Sequence, residues 1–326
     1  MNAINQKKEG ILLQSGNNEV EFIEFTSGGV AYGINVAKVE RVIARPTVEI
    51  TRLDNFGTAL LGSIYVHELP VQLIDLRMAL HMPDPTEDER VAEDRQLILV
   101  TKFNKQTISF LIDSVNKIHR TCWSEFEPID ATMMGAAVMS SYVTGTIKID
   151  GRVIVILDLE HLMLEFSGVD LEASMAEPCD DPEELCARRG SVNLIYAEDS
   201  GIIRKLMMNT LMLGGYKNVK SFEHGRAAYD YILSLRQRCE DDGTDISNYV
   251  DCIITDIEMP QMDGLTLCKS IKEQANSEHI PAVVVYSSLI NDSMAKKCKS
   301  VGADAQVSKP HGNEIIQVLD QLCLGA

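Results

Sequence analysis

At 326 residues the chain is too long for one ordinary hydrophobic core, and its length points to about two domains. A composition of 45% hydrophobic and 24% charged residues excludes disorder as the main state. A net charge of -18 opposes binding to nucleic acid or to an anionic membrane surface, so the expected partners are proteins.

The N-terminal stretch MNAINQKKEG lacks the apolar core of a signal peptide, and no apolar run reaches the roughly 18 residues of a membrane span. A cytoplasmic protein without direct membrane insertion is expected. The eight cysteines form no CxxC pair, and their apolar neighbours point to free thiols in a reducing compartment.

After a tail over residues 1–18, the region 19–167 reads as short strands broken by turns, for example VEFIEF, then Ser27-Gly28-Gly29, then VAYGI. QLILVTKF and QTISFLI flank Asn104-Lys105, while TIKI and RVIVIL flank Asp150-Gly151, a dipeptide suited to the positive φ of a tight turn. Two hairpins are predicted. Val36, Val39, Val42 and Ile43 share one helical face after Asn35 as N-cap, which predicts a helix over 36–43. Helical turns are also predicted after Asp75 and Asp158. PVQLIDLRMAL and VIVILDLEHLM resemble one another, each an apolar strand running into Asp-Leu, which suggests an internal repeat and two related β-barrels.

Residues 168–190 crowd seven acids with Pro178 and Pro182 and read as a self-repelling acidic linker. From Ser191 to Ala326 the pattern alternates near-continuous apolar strands, VNLIYA, VDCIITD and PAVVVYS, with amphipathic stretches. The fold class that follows is multidomain, an all-β region and then an α/β doubly wound parallel sheet of the flavodoxin-like kind. In such open sheets the carboxyl ends of the strands carry function. Glu198-Asp199, Asp256, Ser287-Ser288 and Lys309-Pro310 all follow strands toward that one edge. Three clustered carboxylates raise one another's pKa unless a cation compensates, and an all-oxygen set suits Mg²⁺.

With AEDS, DIEMPQMDG, YSS and SKP in this order, residues 191–326 resemble a response-regulator receiver domain. The resemblance implies that Asp256 is the phosphoacceptor and that Glu198, Asp199, Asp256 and the backbone carbonyl of Glu258 hold Mg²⁺. It also implies that Ser287 and Lys309 bind phosphoryl oxygens. Receivers commonly carry an aromatic residue three positions before the lysine, where this chain has Gln306, so the switch surface is expected around Ser288 and Gln306 without an aromatic lever.

EFIEFTSGGVAYGINVAKVERVI and PVQLIDLR resemble the CheW-like coupling fold, paired β-barrels that bridge chemoreceptors to a chemotaxis-type histidine kinase. His67-Glu68 stands where many coupling domains carry Arg-Gly, which makes these two residues candidates for docking. A CheW-like domain followed by a receiver is the arrangement of the CheV family. The implied function is a chemotaxis adaptor at chemoreceptor arrays, tuned by Mg²⁺-dependent phosphorylation and not chiefly an enzyme. The alternative is a phosphate sink localised by its coupling domain. In either case the receiver is expected to dock reversibly on the β region through the surface near Ser287, Gln306 and Lys309.

Overall fold

Alternating apolar side chains, standing on opposite faces of each strand, build the first half of the molecule. The computed structural model describes residues 18–52, 59–83, 91–103, 106–128, 142–166, 182–273 and 280–325. The first sheet contains β1 (Glu19–Ser27), β2 (Val30–Asn35), β9 (Ser114–Cys122), β10 (Val143–Ile149) and β11 (Arg152–Leu157), in the order β10-β11-β2-β1-β9. The second contains β3 (Val39–Ala44), β4 (Thr51–Arg52), β5 (Leu60–Val66), β6 (Leu69–Asp75), β7 (Leu97–Phe103) and β8 (Gln106–Ile112), in the order β3-β7-β8-β6-β5-β4. Phe25, Tyr32 and Ile34 of the first sheet share a core with Ile74, Leu99 and Phe110 of the second.

Both predicted hairpins form, β7 with β8 and β10 with β11. Asp150 and Gly151 take positive φ at the second turn, while Asn104-Lys105 lies outside the described residues. The two similar segments occupy equivalent places. β6 runs into the short helix α1 (Leu76–Ala79) and β11 into α2 (Leu159–Phe166), and each strand has a parallel neighbour, β8 and β2 respectively. In both copies an aspartate begins the helix: Asp75 accepts the Met78 N–H at 3.1 Å and Asp158 accepts the His161 N–H at 2.9 Å.

The helix expected over 36–43 is not present. A single 3-10 turn, Val36–Lys38, follows Asn35, whose side chain accepts the Ala37 N–H at 2.8 Å, and the chain then enters β3. Val39, Val42 and Ile43 are β-branched, and pairing along β7, with Val42 opposite Leu99, favours the extended form.

The second half forms a parallel sheet because its central strands are apolar on both faces and helices cover both. Strands β12 (Asn193–Ala197), β13 (Asn218–Phe222), β14 (Cys252–Thr255), β15 (Ala282–Ser287) and β16 (Ala305–Ser308) lie in the order β13-β12-β14-β15-β16, every pair parallel. One face packs on α5 (Gly225–Asp242), α6 (Gly264–Glu273) and α7 (Asp292–Ser300), the other on α4 (Gly201–Leu213) and α8 (Gly312–Leu319).

The expected acidic linker also needs correction. Residues 167–181 lie outside the described residues, but Glu183–Ser191 is a helix, α3. It is held by Arg189, which is buried and donates through Nε and Nη2 to the two oxygens of Asp320 at 2.8 and 2.6 Å, and through Nη1 to the Gly214 carbonyl at 3.0 Å. A bidentate, buried arginine fixes the helix end more strongly than acidic self-repulsion extends it. Cys186 on this helix is disulfide-bonded, against the expectation of free thiols, whereas Cys122, Cys239, Cys252, Cys268, Cys298 and Cys323 are free.

Candidate functional site

Parallel pairing brings strand ends together. Ala197 lies opposite Thr255, Thr255 opposite Val285 and Ser287 opposite Ser308, so the residues that follow emerge at one edge. Glu198, Asp199 and Asp256 place one carboxylate oxygen each within 4.8 Å of one another. Lys309 Nζ sits 3.2 Å from Asp256 Oδ2 and 2.9 Å from Glu198 Oε2. The sequence-predicted cluster is therefore assembled, with Ser287 fully buried beside it.

Local geometry around Asp256 follows from its loop. The Ile257 N–H donates to Asp256 Oδ1 at 2.7 Å and fixes the carboxylate. Asp263 begins α6, accepting the Thr266 N–H at 2.9 Å and the Thr266 hydroxyl at 2.6 Å, so it is a helix cap. Gly264 is required by contact: a Cβ there would lie 1.8 Å from the Asp256 carbonyl oxygen.

Burial dominates the electrostatics. It pushes the Asp256 carboxyl above its usual range, against the opposing charge of Lys309. Burial, then the charges of Glu198, Asp256 and Asp158, push Asp199 well up, and burial raises Glu198 to about 8 despite Lys309. Glu198 Oε2 accepts from the Tyr196 hydroxyl at 2.8 Å, but its Oε1 is buried with no hydrogen-bond partner. An orphaned oxygen inside an all-carboxylate cluster is a donor set that fits a small hard cation, so the residues present suit Mg²⁺.

Two residues the sequence reading missed come from the other half of the chain. Glu160, on α2, accepts the Ser288 hydroxyl at 2.6 Å and pairs with Lys309 Nζ at 3.0 Å. Lys38, in the turn before β3, lies 2.6 Å from Glu258 and 3.4 Å from Glu160. Burial raises the Glu160 pKa, but Lys309 and Lys38 outweigh it and bring the carboxyl down to about 2, so Glu160 is ionised. Around this contact, Asn18 Oδ1 accepts the Asp263 N–H at 2.9 Å and the Trp123 carbonyl accepts the Gln261 N–H at 2.7 Å. Trp123 is thus both core and contact, its ring buried beside Phe126. One signal for Glu160 existed: the repeated segments carry Arg77 and Glu160 at the same place after Asp-Leu, a reversal of charge.

The remaining candidates lie apart. Gln306 is exposed on β16. His67 and Glu68 form the β5–β6 turn, both with positive φ. His67 Nε2 is 3.2 Å from Glu40 and also contacts Arg41.

Residues 21–166 match the CheW-like domain family and residues 194–320 the response regulator receiver domain family. The chain is a CheW-like domain followed by a receiver domain. The chain is 26% identical over 320 residues to the chemotaxis protein CheV3 of Helicobacter pylori, covering 93% of this chain and 96% of that protein. It is likewise 26% identical over 317 residues to CheV1 of the same organism, with 94% of each covered. The chemotaxis protein CheW of Klebsiella aerogenes is 24% identical and matches 44% of this chain and 81% of its own length. A CheV-type combination of these two domains fits a chemotaxis adaptor.

Proposed function

We propose that this chain couples chemoreceptors to a chemotaxis-type histidine kinase through residues 19–167, and that phosphorylation of Asp256 in residues 191–326 tunes the coupling. The observation that carries this reading is Asp256 buried between Lys309 and the Glu198-Asp199 pair, on the same chain as a CheW-like domain. In the transfer, an Asp256 oxygen forms a bond to phosphorus as the phosphohistidine P–N bond breaks, its electron pair remaining on the imidazole nitrogen. Lys309 offsets charge on the equatorial phosphoryl oxygens, and the Ser287 hydroxyl donates to one of them. Glu198, Asp199, Asp256 and the Glu258 carbonyl would hold Mg²⁺, which when bound adds positive charge against the same oxygens.

The protein is proposed to work in the cytoplasm at receptor arrays. Among the described residues no helix is long and apolar enough to cross a membrane. A test mixes the full chain with receptor, kinase and ATP, and follows label transfer and co-sedimentation together. Label on Asp256 with a change in kinase activity supports the adaptor. Label that drains from the kinase while co-sedimentation and coupling stay fixed supports the phosphate sink instead.

A further inference from the structure

The Glu160 contact has the chemistry of the group that the receiver is built to bind. Its carboxylate is an anion, ionised and buried, held by the ammonium of Lys309 and the hydroxyl of Ser288. A phosphoryl oxyanion needs a cation and a hydroxyl of the same kind, and the cation would be the same Lys309, with the neighbouring Ser287 in place of Ser288. The same ammonium reaches Asp256, so Glu160 and a phosphoryl group on Asp256 would compete for it. The cavity left between the domains, lined by Lys38, Asp158, Glu160, Asp199 and Asp256, measures about 30 Å³, room for about one water and not for a phosphodonor.

We propose that Glu160 is a built-in competitor for the Lys309 cation of the phosphoryl seat, so that the docked state of the two domains and phosphorylation of Asp256 exclude one another. This rests on Asp256 being the phosphoacceptor. Opening must precede phosphorylation, because the donor cannot pass the docked domain. Phosphorylation then holds the chain open, since the new charge of about -1.5 to -2 takes Lys309 and repels Glu160. Opening uncovers the face of the coupling domain around Lys38, Trp123 and α2, and that exposure is the output. Lys38 forms the second arm of the latch through Glu258.

The test uses the full chain with Mg²⁺ and acetyl phosphate, comparing the parent with Glu160→Gln and Lys38→Met. Neither substitution touches the acceptor or its metal carboxylates. In Glu160→Gln, Lys309 keeps Asp256 and Glu198, and Lys38 keeps Glu258, so no lysine is stranded. The expected result is phosphoryl uptake at least about 10-fold faster in both variants, the size of a typical coupling between two sites. Beryllofluoride should lower amide-exchange protection in residues 159–166 and at Gln261 of the parent, and should change these little in Glu160→Gln, which is already open. Equal uptake rates in all three chains, with protection at residues 159–166 unmoved by beryllofluoride, would overturn the latch while leaving Asp256 as acceptor. Labelling that survives in Asp256→Asn would instead overturn the reading of the acceptor, and the latch with it.

Discussion

Lys309 Nζ lies 3.0 Å from Glu160 Oε2, a pair that joins the end of a receiver strand to a helix of the CheW-like domain. The same ammonium reaches Asp256 at 3.2 Å. One cation therefore serves the receiver's own acid and an acid brought by the neighbouring domain. Both lysines at this contact are held charged despite full burial, because each faces several carboxylates.

Asp256→Asn is expected to abolish phosphoryl uptake from either acetyl phosphate or phosphorylated kinase. The amide keeps the shape of the side chain but is not a nucleophile. Radiolabel on the purified full chain, resolved by acid-stable and acid-labile fractions, is the measurement; label remaining at the parental rate would remove Asp256 from its role.

Mg²⁺ affinity should fall at least about 10-fold in Asp199→Asn, since even outer partners of a metal site cost that much. Titration calorimetry reads the affinity directly. Uptake by the parent should stop in excess chelator and return when Mg²⁺ is restored.

Gly264→Ala tests the close approach of α6 to the Asp256 loop, where a Cβ would meet the Asp256 carbonyl oxygen at 1.8 Å. Backbone must shift to make room, at a cost of roughly 1–3 kcal/mol or more in stability. The shift moves Asp256, so uptake is expected to fall on the order of 100-fold as well. Thermal melts and labelling rates separate the two effects.

Arg189→Met should destabilise the receiver by about 3–5 kcal/mol, because it leaves Asp320 buried without its cation. Denaturant unfolding monitored in the receiver is the check. An unchanged midpoint would show that α3 contributes little and that the segment before β12 behaves as a tether after all.

The CheW-like domain should show its own acid sensitivity through Glu24. This buried carboxylate accepts from Asn116 at 3.0 Å and Arg152 at 2.9 Å and lies 2.6 Å from His119. Burial acts to raise its pKa, but these partners outweigh burial and hold it below the ordinary 4.5. A depressed carboxyl stabilises the fold fully above that ordinary value, and the contribution is lost as pH falls through the folded-state value. Glu24→Gln should cost on the order of 1–3 kcal/mol at pH 7 and narrow its deficit relative to the parent below about pH 4. Melting curves of both chains across that range test the sign.

The sequence by itself determined the receiver fold and the cluster at its strand ends. Its strands are local apolar runs, parallel pairing aligns their ends, and the residues just past those ends must meet at one edge. Asp256, Glu198, Asp199 and Lys309 were legible for that reason, as were the two hairpins and the Asp-Leu helix starts in the β region. The segment 36–43 was misread because its apolar spacing satisfies a helix, and only pairing with β7 selects the strand. At the end of the stretch read as an acidic linker, the helix Glu183–Ser191 was not legible, because Arg189 finds Asp320, a partner 131 positions away.

Only the tertiary structure decided what faces Asp256 and Lys309. Glu160 and Lys309 are 149 positions apart, and Lys38 is 122 positions from Glu160. Along the chain Glu160 and Lys38 look like ordinary solvated charges, since little in their neighbours distinguishes them from surface residues. Docking removes the water from all of them together, and within that dry contact an anion must find a cation. The residues that join the two domains are therefore fixed by burial across the interface, which no local pattern encodes.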